Sequence, residues 1–82
     1  MPAAAELTLT VEVGADTSTL PRVLTVLRQR GCVITRVDYA ASDRHRPGYL
    51  HVGLSAPARQ AHRVPEWVGR LVDVTAVHHG ER

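Results

Sequence analysis

The sequence predicts an α+β sandwich in which one four-stranded antiparallel sheet carries two helices on one face. Three observations lead there. Residues Glu6–Val13 alternate without error, with Leu7, Leu9, Val11 and Val13 on one side and Glu6, Thr8, Thr10 and Glu12 on the other. Such a period of two makes a strand with one buried and one wet face. Leu20, Val23, Leu24 and Leu27 fall at helical spacing and form an apolar stripe. Two further strand-like runs, a weaker helical stretch and a last strand follow, which gives the order β-α-β-β-α-β.

In chain order, Met1–Ala5 reads as a short leader before the first strand, and Gly14-Ala15-Asp16 turns the chain. The first helix follows. Thr17, Ser18 and Thr19 are each suited to cap its backbone, and Pro21 belongs in its first turn, where a missing N–H costs nothing. Gly31 supplies the left-handed residue that ends it, with Arg28 and Arg30 against its negative end.

Cys32–Ala40 is the second strand. Cys32 and Ile34 share one parity and Val37 and Tyr39 the other, so a bulge near Thr35–Arg36 is needed to turn all four inward. The polar loop Ala41–Gly48 leads into a third strand, Tyr49–Ser55, with Leu50, Val52 and Leu54 inward, and the two strands form a hairpin. Ala58–Val72 is the second helical stretch, with Ala61, Val64, Val68, Leu71 and Val72 on one face and Trp67 at its margin. Pro65 interrupts it, so the helix either kinks there or starts near Arg63. Val74–His79 is the fourth strand and His78–Arg82 a tail. Right-handed crossovers then put both helices on one face of the sheet, the ferredoxin-like βαββαβ sandwich. The other face carries Thr8, Thr10, Glu12, His51 and Ser55.

Composition narrows the function. The 82 residues make one domain over 1–82, with a core of about 6–79, and contain no Phe, one Trp and two Tyr. A core of Val, Leu, Ala and Ile in a chain this small gains from a partner subunit. All ten basic residues are arginines, spread along the sequence, and the net charge is only +2. Stacking platforms for single-stranded nucleic acid are nearly absent. One Cys excludes an internal disulfide and fits a reducing compartment. No membrane span and no signal peptide are visible, so the expected location is cytoplasmic.

Specific chemistries drop out as well. A heavy-metal chaperone needs C-x-x-C in the first loop, and an acylphosphatase needs a basic cradle where GADTST stands. No carboxylate pair and no nucleophile with a base at motif spacing is present. His78 and His79 are adjacent and would point to opposite sides of a strand, which does not make a metal site. Arg44, His45 and Arg46 read as a solvated loop tip. Cys32 has no basic neighbour that would lower its pKa and reads as a small buried thiol.

Three blocks carry a resemblance. They are Thr19-Leu20-Pro21-Arg22-Val23-Leu24, Arg30-Gly31-Cys32-Val33-Ile34 and Leu71-Val72-Asp73-Val74-Thr75-Ala76-Val77. In that order and at those separations, Leu7–Val77 resembles an ACT domain, and most nearly the short regulatory subunit of acetolactate synthase (acetohydroxyacid synthase). The resemblance implies a non-catalytic regulatory and activating role in branched-chain amino acid biosynthesis, without a cofactor or metal of its own. It implies a homodimer through the strand-two edges, a thiamine-diphosphate-dependent catalytic large subunit as partner, and an amino-acid effector.

The effector site it implies comprises Asp16, Thr17, Ser18, Thr19 and Leu20 before and within the first helical turn, with Cys32, Val33 and Ile34 at the start of strand two. Such a site uses a helix N-terminus to hold a carboxylate. Two departures make it degenerate: the family's Pro-Gly is Thr17-Ser18 here, and the Asn of valine-binding subunits is Val33. Both are like the short, valine-insensitive type. The alternative is a free-standing homodimeric ACT domain that senses an amino acid or another small molecule for a different enzyme or regulator. Neither nucleic acid nor membrane is expected as a partner.

Overall fold

The computed structural model describes residues 4–15, 18–71 and 74–81, without the side chains at 75, 76, 79 and 81. The elements are β1 (Ala4–Val13), α1 (Thr19–Gln29), β2 (Val33–Ala40), β3 (Gly48–Pro57), a 3-10 turn (Ala61–Arg63), α2 (Val64–Gly69) and β4 (Val74–Glu81). The strands form one sheet in the order β2-β3-β1-β4, and each neighbouring pair is antiparallel. This is the ferredoxin-like βαββαβ sandwich. The two strands that follow the helices, β2 and β4, lie at the edges.

Alternation fixes the sheet's two faces as expected. Leu7, Leu9, Val11 and Val13 of β1 and Leu50, Val52, Leu54 and Ala56 of β3 are buried. They meet Val23 and Leu27 of α1 and Val64, Trp67 and Val68 of α2. Several boundaries move outward. β1 starts at Ala4 rather than Glu6, because Ala4 and Ala5 pair with Pro57 and Ala56, and β3 accordingly runs on to Pro57. β4 continues past His79 to Glu81, which pairs with Leu7. The expected leader and tail are thus partly strand, as each strand extends for as long as its neighbour offers backbone partners.

The helices differ from the sequence reading at their starts. Ser18 stands at the N-cap of α1 with φ −73° and ψ −12°, but its side chain makes no capping hydrogen bond. Thr17 and Asp16 lie outside the described residues. The stop is as expected. Gly31 has φ +84°, its N–H donates to the Arg28 carbonyl at 3.1 Å, and the Cys32 N–H donates to the Leu27 carbonyl at 3.0 Å. That double bond pattern is a Schellman motif and needs the left-handed residue that only glycine adopts at no steric cost.

Of the two alternatives for the second helix, the late start holds. Pro65 occupies the first turn of α2, where its missing N–H breaks nothing. The residues before it form the 3-10 turn and not an α-helix. The expected face is buried at Val64 and Val68, and Trp67 is buried with them rather than marginal. Ala61 and Leu71 pack on the core only partly, and Val72 lies outside the described residues.

The bulge in β2 is where the alternation demanded it. The β2–β3 register pairs Ile34 with Leu54, then Arg36 with Gly53, and skips Thr35. Gly53 lets the bulged strand approach closely there. A Cβ on it would stand 3.1 Å from Thr35 Oγ1 and 3.2 Å from Arg36 Cβ, tighter than ordinary contact. The bulge turns Val37 and Tyr39 to the helix face, opposite Val52 and Leu50. It does not bury them, since they remain 40% and 39% exposed. The expectation that all four apolar residues of this strand are inside therefore holds for Cys32 and in part for Ile34. At the open edge of a sheet, a residue that faces the right way still lacks a neighbour on one side.

Candidate functional site

The effector residues implied by the sequence fall into two separate groups. Ser18 and Leu20 are half-buried at the start of α1, and Thr19 beside them is closed off at 1% exposure. Asp16 and Thr17 lie outside the described residues. Cys32 is buried at the exit of α1. Val33 is 63% exposed and pairs with Ser55, whereas Ile34 is half-buried and pairs with Leu54. The 11 residues of α1, rising about 1.5 Å each, hold the two groups roughly 16 Å apart. The loop before helix one and the start of strand two therefore stand apart within one chain. An antiparallel connection places the beginning of α1 and the beginning of β2 at opposite ends of the sandwich.

A different cluster forms on the open sheet face. Thr8, Arg36, Asp38, His51, Val52 and Gly53 line a shallow depression of about 500 Å³. Arg36 Nε donates to Asp38 Oδ2 at 2.7 Å, and Thr10 Oγ1 lies 3.1 Å from His51 Nδ1. The His51 ring stacks on Tyr49 with centroids 6.3 Å apart. Arg36 and Asp38 were not singled out in the sequence. The signal was available, because the same bulge that turns Val37 and Tyr39 inward turns Arg36 and Asp38 outward beside His51.

Across this face Asp38, His51 and Thr10 stand in one row, the residue types of an acid–base–hydroxyl relay. The bonding is not that of a relay. The carboxylate is held by Arg36 and not by the imidazole, so no carboxylate orients His51 as a base. The row can offer charge and hydrogen bonds to a ligand or a surface. Among the described residues, no group of three or more His, Cys, Asp or Glu is close enough to hold a metal ion.

Cys32 is the one nucleophile in the core. Burial pushes its thiol above the ordinary range, because desolvation disfavours the thiolate. A proton held more tightly in the folded chain means stability that is complete below the unfolded thiol's pKa and declines as pH rises through it, above roughly 8.5. Labelling by a disulfide reagent at pH 7.5 is therefore expected to be slow for the native chain and fast in urea. Equal rates would show Cys32 to be accessible.

The remaining feature is the β2 edge. Val33, Val37 and Tyr39 are the large exposed apolar residues among those described, and all belong to this strand. An edge strand with unpaired backbone groups and apolar side chains is a template for another strand.

No protein-family model and no curated protein matches the chain. Solved structures do. The ACT domain of GTP pyrophosphokinase from Chlorobium tepidum superimposes with a TM-score of 0.76 at 8% identity, over 94% of this chain and 99% of that one. The fold is ACT-like. The C-terminal domain of the MgtC protein from Mycobacterium tuberculosis has the same TM-score of 0.76 at 11% identity, over 100% of this chain and 92% of that one. The P2 domain of the chemotaxis kinase CheA from Thermotoga maritima, solved in complex with the response regulator CheY, gives 0.74 at 14%, over 96% and 99%. Identities this low establish the common sandwich and leave its use open, since one fold hosts many functions. No helix among the described residues is long and apolar enough to cross a membrane.

Proposed function

We propose that this ACT-like chain is a non-catalytic regulatory and activating subunit of acetolactate synthase and works as a homodimer joined along β2. The observation that carries the reading is the co-occurrence of three sequence blocks, at the start of α1, at its exit and around the start of β4, on an ACT-like sandwich. The exposed apolar edge supports the dimer. Its contribution would be a coupling free energy that favours the active arrangement of the catalytic chain.

The separation of the two effector groups bears on this reading. Two copies joined antiparallel along β2 bring the start of one β2 toward the end of the other, and hence toward the end of the sandwich where the other copy's α1 begins. A site split 16 Å apart in one chain, roughly, becomes whole only between two. The site that results is degenerate: Ser18 puts a Cβ where glycine would let the backbone approach a carboxylate, and Val33 has no hydrogen-bonding group. One lost hydrogen bond to a charged group costs about 1.5–3 kcal/mol, or a tenfold loss of affinity and more.

The test has two arms. Mixing the chain with the acetolactate synthase catalytic chain of the same genome should raise acetolactate production and give a co-eluting complex. Failure of both overturns the subunit assignment and leaves the free-standing sensor. In isothermal titration, valine should bind weakly or not at all, and Ser18→Gly with Val33→Asn should gain affinity. Tight valine binding by the natural chain would refute the degenerate site.

A further inference from the structure

Strand β2 carries opposite charges two residues apart on one face, Arg36 and Asp38, and an apolar pair, Val37 and Tyr39, on the other. We infer that two copies of this chain pair antiparallel with the two-fold axis through Val37, so that Arg36 of each copy stands directly opposite Asp38 of the other. The inference rests on the homodimer proposed above and adds its register and the side chains that select it.

The register follows by elimination. A slip of one residue sets the apolar face of one strand against the charged face of its neighbour, so the axis must pass through a residue. An axis through Arg36 or through Asp38 sets like charges directly opposite each other, which is destabilising. An axis through Thr35 sets Arg36 against Ile34 and carries Asp38 beyond the start of β2 at Val33. An axis through Tyr39 pairs Asp38 with Ala40 and carries Arg36 beyond the end of β2 at Ala40. The axis through Val37 opposes both Arg–Asp pairs and sets Val37 against Val37.

Within each copy Arg36 Nε and Asp38 Oδ2 are already 2.7 Å apart, so four charges of alternating sign surround the axis. A network of this kind is worth more than an isolated surface pair. Charges and a bulge on an edge strand commonly discourage pairing. Here the signs are self-complementary, so they exclude foreign strands and other registers while they admit a second copy.

Charge exchange tests this. The side chains of Arg36 and Asp38 are 72% and 54% exposed, so Arg36→Asp and Asp38→Arg should fold like the natural chain by circular dichroism. In sedimentation velocity each single variant faces itself with two like-charge pairs, and its dimer dissociation constant should rise about tenfold or more. An equimolar mixture of the two variants restores both attractive pairs and should dimerise again, as should the double exchange. Rising salt should weaken the natural dimer, a readout that needs no variant. A dimer indifferent to salt whose single variants associate as the natural chain does, or whose mixture stays monomeric, overturns the register and leaves the dimer standing. A monomeric natural chain at micromolar concentration overturns both.

Discussion

Trp67→Ala is expected to cost about 3–5 kcal/mol, the range for truncating a buried aromatic residue. Trp67 is the one aromatic ring in the core and is 5% exposed. The Arg30 guanidinium lies over its ring at 5.1 Å from the centroid and ties the end of α1 to α2. Its core neighbours are Val, Leu and Ala side chains already packed against the sheet, so nothing large can collapse into the space it leaves. A chain of 82 residues has a total stability of roughly 4–12 kcal/mol. The variant should therefore unfold at a much lower urea concentration or fail to fold at all. Arg30→Ala, which removes only the cation above the ring, should lose about 0.5–1 kcal/mol. If both variants melt within 1 kcal/mol of the natural chain, roughly, α2 does not pack as described.

Leu27→Ala comes next, with an expected loss of about 2–5 kcal/mol. The apolar stripe of α1 makes Leu24 and Leu27 equal in sequence, but they are not equal in the fold. Leu27 is fully buried between the sheet and α2, whereas Leu24 is only half-buried. The cavity term scales with how completely neighbours surround the lost atoms, so Leu24→Ala should cost clearly less than Leu27→Ala. Urea melts of the two variants measure the rotation of α1 about its own axis. Equal losses would mean that both side chains face the core alike.

Much of the fold was legible. Strict alternation in Glu6–Val13 leaves β1 no other arrangement, since a strand in any other register would bury Glu6, Thr8, Thr10 and Glu12. The broken parity between Ile34 and Val37 located the bulge within one residue, because only an extra residue reconciles two apolar pairs of opposite phase. Gly31 marked a stop through its need for positive φ, whereas Pro65 left a kink and a late start open until the fold chose the late start. These are local rules, and the chain obeys them locally.

The tertiary structure decided what local rules cannot reach. Strand ends were misjudged at Ala4, Pro57 and Glu81 because a strand's length depends on the partner across the ladder and not on its own residues. Val37 and Tyr39 follow the inward pattern and yet lie open, since burial at an edge needs a neighbour that the pattern does not specify. The residues expected at an effector site stand together in the family's pattern, but those of them that are described lie at the two ends of α1, because an antiparallel return separates them. Arg36 and Asp38 acquired a role only when the sheet order put β2 at an edge. By itself the sequence determined the sandwich, its faces, its bulge and the stop of α1, all set by side-chain period and backbone dihedral. How far each strand runs, which edge stays free and which charges stand on it were decided by the packing of strands distant in sequence.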